Sequence, residues 1–273
     1  MLLFLISILG LLIGSFLNVL VDRLPRGEYV IQGRSRCDKC KKILKGHDLI
    51  PLLSFVFLKG KCRYCNARLS FFYPIIEITT GIMFAITTLF IFNGSQFLIS
   101  NFKFLINSQF LNFQLLISLV YYLFIVSSLI VIFFTDLKYG IIPDKIVFPA
   151  IFVSAFYLLT INYQLLTINF LSAVGACLFF LILYLITKGR GMGFGDVKFA
   201  FLMGLVLGFP NIAVALYTAF LTGAIVGCIL IVWRKKRAFG TSIPFGPFLV
   251  IGTLIAIFYG EILTQSFLRL ASL

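Results

Sequence analysis

The sequence predicts an all-α polytopic membrane protein of about eight transmembrane helices, with a small zinc-ribbon-like cytoplasmic loop domain. Three observations carry this. Of 273 residues, 61% are hydrophobic and 12% charged, with a mean hydropathy of +1.09, more apolar side chain than a soluble core requires. Apolar runs of about 20 residues, the length that crosses a ~30 Å hydrocarbon core, recur along the chain. One long polar stretch interrupts them and holds two C-x2-C pairs.

Spans are expected near residues 1–21, 74–93, 113–135, 146–162, 165–187, 197–209, 212–233 and 244–264. The first lacks the basic flank and A-x-A-like site of a signal peptide, so it is read as a retained helix. The sixth has only 13 apolar residues, Val197 to Phe209, or roughly 20 Å at 1.5 Å per residue. It is tilted within the bundle, begins below the surface, or does not cross. The chain thus divides into a first transmembrane helix (1–21), a cytoplasmic four-cysteine loop domain (22–72) and a transmembrane core (73–273).

Lysine and arginine set the orientation, because cationic loops resist translocation. Of 23 basic residues, 12 lie between Arg23 and Arg68, and a further nine are Lys138, Lys145, Lys188, Arg190, Lys198 and the run from Arg234 to Arg237. These fall in alternate loops, which are therefore expected in the cytoplasm, with both termini outside. The net charge of +14 then reflects topology and contact with anionic lipid headgroups. Nucleic-acid binding is not expected, since the basic residues are spread over four loops rather than gathered in one stripe.

In the polar stretch, Cys37-Asp-Lys-Cys40 and Cys62-Arg-Tyr-Cys65 are separated by 21 residues. That spacing lets two knuckles present four thiolates tetrahedrally to one Zn²⁺. Arg36, Lys39, Lys41, Lys61 and Arg63 favour thiolate over thiol. The alternative, two metal-free CxxC pairs or disulfides, fits a cytoplasmic loop less well. A closed four-thiolate site leaves no open coordination position, so its expected role is to fold a segment with little core of its own. Cys177 and Cys228, inside apolar helices, are read as packing residues.

Nine acidic residues are few enough to sort. Asp22, Glu28, Asp38 and Asp48 balance the basic loop, and Glu261 lies near the last outward end. Asp144 opens the fourth span as an N-cap or dipole partner. Asp136 ends the third span, just before Gly140 and Pro143 break the helix. Asp196 follows Gly191, Gly193 and Gly195, and either caps the sixth helix or acts together with Asp136. A carboxylate at a membrane boundary is costly unless something uses it. Lys138 and Lys198 stand two residues after Asp136 and Asp196, where they snorkel to headgroups, hold the carboxylates or meet a substrate. Two carboxylates sharing one proton form an acid and base pair able to activate water and polarise a carbonyl. The single histidine, His47, is read as a surface residue, and no Gly-x-Ser-x-Gly elbow, P-loop or H-E-x-x-H helix occurs.

These residues together resemble the bacterial type IV prepilin peptidases, membrane aspartyl proteases of the GxGD kind. The resemblance covers nearly the whole chain: Gly14-Ser-Phe-Leu-Asn18-Val, Arg23-Leu-Pro25, the four-cysteine loop with Asp48-Leu-Ile-Pro51 and Gly60-Lys-Cys62-Arg-Tyr-Cys65, Tyr73-Pro74 with Glu77, Thr135-Asp136, Ile142-Pro143-Asp144 and Gly193-Phe-Gly195-Asp196-Val-Lys198. It implies cleavage of the basic leader from prepilins or prepilin-like pseudopilin and competence proteins, at the cytoplasmic face of the bacterial inner membrane. Asp136 and Asp196 match the family's two catalytic aspartates by position, making residues 73–273 the peptidase core. Many four-cysteine members also N-methylate the new terminal residue with S-adenosylmethionine, although the sequence identifies no donor site. Glu77 is a candidate for substrate or donor contact, or a structural ion-pair partner of a loop lysine or arginine.

Two other readings share some of these features. An ion-coupled transporter also places carboxylates beside broken helices, but both aspartates here lie near one face. A presenilin-like protease shares the GxGD dyad, whereas the cysteine loop and the Ile-Pro-Asp sequence favour the prepilin type.

Overall fold

The computed structural model describes residues 1–30, 35–37, 39–101, 108–161, 163–189, 191–234 and 244–271. Asp38, Arg190 and the basic run from Lys235 to Arg237, all part of the charge pattern above, lie outside them. Nine α-helices occur among the described residues: α1 (Leu2–Arg23), α2 (Leu53–Phe57), α3 (Phe72–Asn101), α4 (Ser108–Tyr139), α5 (Asp144–Ile161), α6 (Tyr163–Ile186), α7 (Phe194–Leu207), α8 (Asn211–Arg234) and α9 (Gly246–Ala271). The only β pairings among these residues are two isolated bridges in the cysteine loop. The chain forms two compact units, Met1–Val131 and Ile132–Leu273, divided within α4.

All eight expected apolar segments are helices, and seven are long and apolar enough to cross a membrane. The exception is α7, the expected sixth span. Its 14 residues give about 21 Å, short of a ~30 Å hydrocarbon core. Eight of the 14 are buried in protein, among them Phe199, Leu202 and Met203. A helix lined by its neighbours rather than by lipid is not obliged to match the bilayer.

In the first unit α1 packs along α3. Lipid tails are as apolar as leucine, so close backbone approach must supply much of the attraction between helices. Gly10 and Gly14, four residues apart, provide it. A Cβ at Gly10 would stand 2.9 Å from Gly81 Cα, and one at Gly14 would stand 2.8 Å from Glu77 Cα. Ile6, Phe84 and Leu119 form a buried cluster with Ile13, Ile91 and Leu123 against it.

In the second unit α7 packs against α5, α6, α8 and α9. Gly204 lets α7 meet the α6 backbone at Ala173, and Gly252 does the same for α9 at Ala215 of α8. The buried Asn169 amide donates to Leu205 O at 2.9 Å, near the end of α7, where carbonyls lack helical partners. Phe180, Phe220 and Phe245 stack beside one another, joining α6 and α8 to the head of α9. This packing fixes the N-termini of α7 and α9, where the site residues lie.

Candidate active site

Asp136 lies in the last turn of α4. Gly140 ends that helix, taking φ +66° and donating its N–H to Asp136 O at 2.8 Å. The turn that follows, Ile141-Ile142-Pro143, brings Ile142 against Gly195, where a Cβ would fall 3.0 Å from Ile142 Cβ. Close approach is therefore the reason for glycine at position 195. Gly193 has an ordinary extended backbone (φ −79°) and serves as the N-cap residue of α7.

The two carboxylates are held in parallel ways. Gly193 N–H donates to Asp196 Oδ2 at 3.0 Å, and Gly246 N–H donates to Asp136 Oδ2 at 2.9 Å. Each donor stands at a helix N-terminus, where backbone N–H groups lack helical partners and the dipole favours an anion. Both aspartates are 5% exposed, and the charge of Asp136 acts directly on Asp196. Two carboxylates in one buried site repel each other when both are ionised. Residues sixty positions apart are thus brought within electrostatic reach. The capping role considered for Asp196 is also present, since its carboxylate accepts from the N-cap.

Gly246 is absent from the sequence reading. Its only local signal is a glycine between Phe245 and Pro247 at the head of the last helix. A Cβ there would lie 2.5 Å from Asp136 Oδ2 and 3.0 Å from its Cγ, so the backbone can reach the carboxylate only without a side chain.

Of the two neighbouring lysines, Lys198 is turned to Asp144. Lys198 Nζ lies 2.8 Å from both oxygens of Asp144, with the Phe194 and Phe148 rings 5.2 and 5.6 Å away. Asp144 opens α5 in its first turn, as expected, and ties it to α7 through this pair. Lys138 is exposed and sits over the Tyr139 ring at 5.2 Å.

In the first unit the four cysteines converge. Their sulfurs all lie within 4.8 Å of one another, with Cys37 and Cys65 at 3.8 Å. A tetrahedral site with metal–sulfur bonds of about 2.3 Å has sulfur–sulfur edges of about 3.8 Å, so the cluster could hold a metal ion. The two halves are built alike. Cys37 N–H donates to Lys42 O at 3.0 Å and Cys62 N–H to Ala67 O at 2.8 Å, with Lys41 and Asn66 at positive φ in matching positions. None of the six cysteines is in a disulfide. Asp48 locks the second half in place, accepting from Arg63 Nε at 2.7 Å, Lys45 N at 3.1 Å and Tyr64 OH at 3.3 Å. Its role is more specific than general charge balance. Burial alone would push its carboxyl up, but the Lys45 amide and the Arg63 guanidinium outweigh that and hold it below the usual range. His47 is half-exposed beside it.

Glu77 is buried on α3 and accepts from Leu52 N at 2.9 Å. Leu52 has φ +60°, a left-handed backbone that disfavours a leucine. One partner of Glu77 is therefore a strained backbone N–H of the loop, not the lysine or arginine side chain of the ion-pair reading.

Comparison with known proteins bears on what these two units are. The model of the bacterial peptidase A24 N-terminal domain matches residues 8–91, and that of the type IV leader peptidase family matches residues 123–228. A prepilin leader peptidase/N-methyltransferase of Bacillus subtilis is 32% identical over 265 residues, covering 97% of both chains. The chain belongs to the type IV leader peptidase family. Proteins of the same name from Aeromonas salmonicida and Pseudomonas aeruginosa are 29% and 27% identical, each over 97% of this chain and 93% and 92% of their own. No solved structure matches. Membership makes the chain a multi-pass membrane aspartic peptidase, and its N-terminal match takes in the four-cysteine loop and Glu77.

Proposed function

We propose that the protein removes the basic leader from type IV prepilins or prepilin-like precursors, with Asp136 and Asp196 as its catalytic pair. The arrangement of these two buried carboxylates, each with one oxygen fixed by a glycine N–H at a helix start, carries the reading. The ionised member removes a proton from water as its oxygen attacks the scissile carbonyl carbon. The protonated member gives its proton to the carbonyl oxygen, so a neutral tetrahedral diol forms without a covalent enzyme intermediate. When the C–N bond breaks, one diol hydroxyl yields its proton and re-forms the carbonyl of the leader's new carboxyl end. The amine leaving group takes up a proton, and the pair returns to its starting state. The backbone donors fix the carboxylates before substrate arrives, so their alignment costs little at the moment of reaction.

The substrate chemistry suits the setting. A prepilin carries a short cationic leader followed by a long apolar helix, which can lie in the bilayer while the scissile bond stays at the interface. The alternating basic loops support an active site facing the cytoplasm. Gly193, Gly195, Lys198 and Asp144 shape the head of α7, and the exposed Lys138 contacts the leader or headgroups. In the loop, Cys37, Cys40, Cys62 and Cys65 hold Zn²⁺ as a closed structural site. The relatives' second named activity supports N-methylation of the new terminus, with S-adenosylmethionine as donor. Mass spectrometry of a co-expressed prepilin reads cleavage position and methylation together. Correctly inserted Asp136→Asn or Asp196→Asn protein that still trims it would overturn the assignment.

A further inference from the structure

Among its described residues, the loop between α1 and α3 leaves an apolar face uncovered. In the short α2, Leu53, Val56 and Phe57 are 55, 69 and 80% exposed. Their i, i+3, i+4 spacing puts all three on one side of the helix. Phe55 faces the other way: its ring meets that of Phe71 edge-on at 5.4 Å and covers Gly60, where a Cβ would fall 3.1 Å from Phe55 Cζ. A contiguous patch of large apolar side chains marks a surface that meets something other than water.

Two ties fix where this face stands. Leu52 enters α2 at φ +60°, unfavourable for a leucine, and its N–H is held at 2.9 Å by the Glu77 carboxylate of α3. The contact of Phe55 with Phe71 is the second. Through both, α2 is locked against the first turn of a membrane span. On that span Phe71, Ile75, Ile78, Ile82, Ile86 and Leu89 recur every three or four positions, and all are at least 41% exposed. They form the side of α3 turned away from its α1 contacts at Glu77 and Gly81, which is the side that faces lipid. The uncovered face of α2 thus continues, at the edge of the membrane, a surface that already meets acyl chains.

The charge pattern selects the same partner. From Leu49 to Phe71 there are four basic residues, Lys59, Lys61, Arg63 and Arg68, and no acid. Arg63 is held by Asp48, while Lys59, Lys61 and Arg68 are exposed around the patch. An apolar face with basic neighbours suits the boundary between acyl chains and anionic headgroups. A helix this short buries too little to bind a membrane alone. Tethering between two spans makes its insertion intramolecular, so a small face suffices.

We propose that the face of α2 formed by Leu53, Val56 and Phe57 is embedded in the lipid interface beside α3, with Lys59, Lys61 and Arg68 on anionic headgroups. The four-cysteine loop is then held down on the bilayer surface rather than hanging from its two spans. This assignment does not depend on the roles of the two aspartates.

The test uses full-length protein in nanodiscs of phosphatidylcholine with about 30% phosphatidylglycerol, an anionic lipid. The chain's single tryptophan is removed by Trp233→Phe, and one reporter is introduced, Val56→Trp or Phe57→Trp. Both positions are exposed, so either reporter fits without repacking the loop. Quenching by lipids brominated near the headgroup end of the acyl chain is compared with quenching by aqueous acrylamide. Insertion predicts that brominated lipid at least halves the emission and that acrylamide quenches at least about threefold less than it does free tryptophan. Adding Leu53→Asp should reverse both effects at an unchanged unfolding temperature, and phosphatidylcholine alone should weaken the lipid quenching. Strong acrylamide quenching without a bromine effect would leave the face in water. If neither quencher reaches the reporters, protein covers the face, whether a second copy or another part of the chain. Lipid quenching abolished by a prepilin peptide would make the face a substrate dock. Each of these three results would overturn the proposal, and lipid quenching indifferent to phosphatidylglycerol would overturn the role given to the three bases.

Discussion

Replacing Gly246 with alanine tests whether backbone placement of Asp136 matters to the chemistry. The new Cβ would stand 2.5 Å from Asp136 Oδ2, about 1 Å inside ordinary contact distance. One side must retreat. Gly246 heads α9, which is anchored by Phe245 in the aromatic cluster and packed along α8, so the carboxylate is the softer partner. It would lose its 2.9 Å hydrogen bond and shift by roughly 1 Å. Misplacement on that scale costs about 10²-fold in rate, near 2.7 kcal/mol of transition-state stabilisation. The assay is steady-state cleavage of a prepilin peptide in detergent by purified protein, with thermal unfolding alongside. The loss should fall on kcat, with KM changed by less than about threefold and unfolding temperature nearly unchanged. Full kcat for Gly246→Ala would refute the idea that this N–H orients Asp136. A matched fall in stability would make the effect one of folding rather than alignment.

Three other outcomes are expected. Purified protein should carry one zinc per chain, and Cys62→Ser should lose it and expose the amides of residues 60–69 to hydrogen exchange; metal-free wild type would contradict the four-thiolate site. The Lys198–Asp144 pair is partly exposed, with side chains 27% and 52% accessible, so a double-mutant cycle should give no more than about 1 kcal/mol, shrinking with salt. Because the folded Asp48 carboxyl titrates below its unfolded value of about 3.9, its stabilisation is fully present above that pH and is lost as pH falls through the folded value. The unfolding-temperature gap between wild type and Asp48→Asn should therefore close on acidification, and a gap independent of pH would contradict the Arg63 and Lys45 contacts.

Much of this molecule is legible in its sequence because its strongest signals are local. Apolar runs of fixed length mark the helices, and paired C-x2-C spacing marks a cluster whose sulfurs do converge. The break at Gly140 and Pro143 marks the end of α4, where the turn returns Ile142 to Gly195. What escaped depends on tertiary distance. Asp136 finds its donor 110 residues away at Gly246, and no periodicity links the two. Lys198, two residues from Asp196, reaches Asp144 instead, because the carboxylate of Asp196 is turned back onto the N-cap of its own helix. The short α7 is visible as a weak span, but its reason, burial among four neighbouring helices, is not.

The most direct test of the account follows the N-terminus of a prepilin co-expressed with wild type, Asp136→Asn or Asp196→Asn, by mass spectrometry, with membrane insertion of each variant verified. Wild type should yield the shortened chain cut at a single bond ahead of the apolar helix, and each variant only the intact precursor. Mature product from either inserted variant would show that the two buried carboxylates do not perform the cleavage.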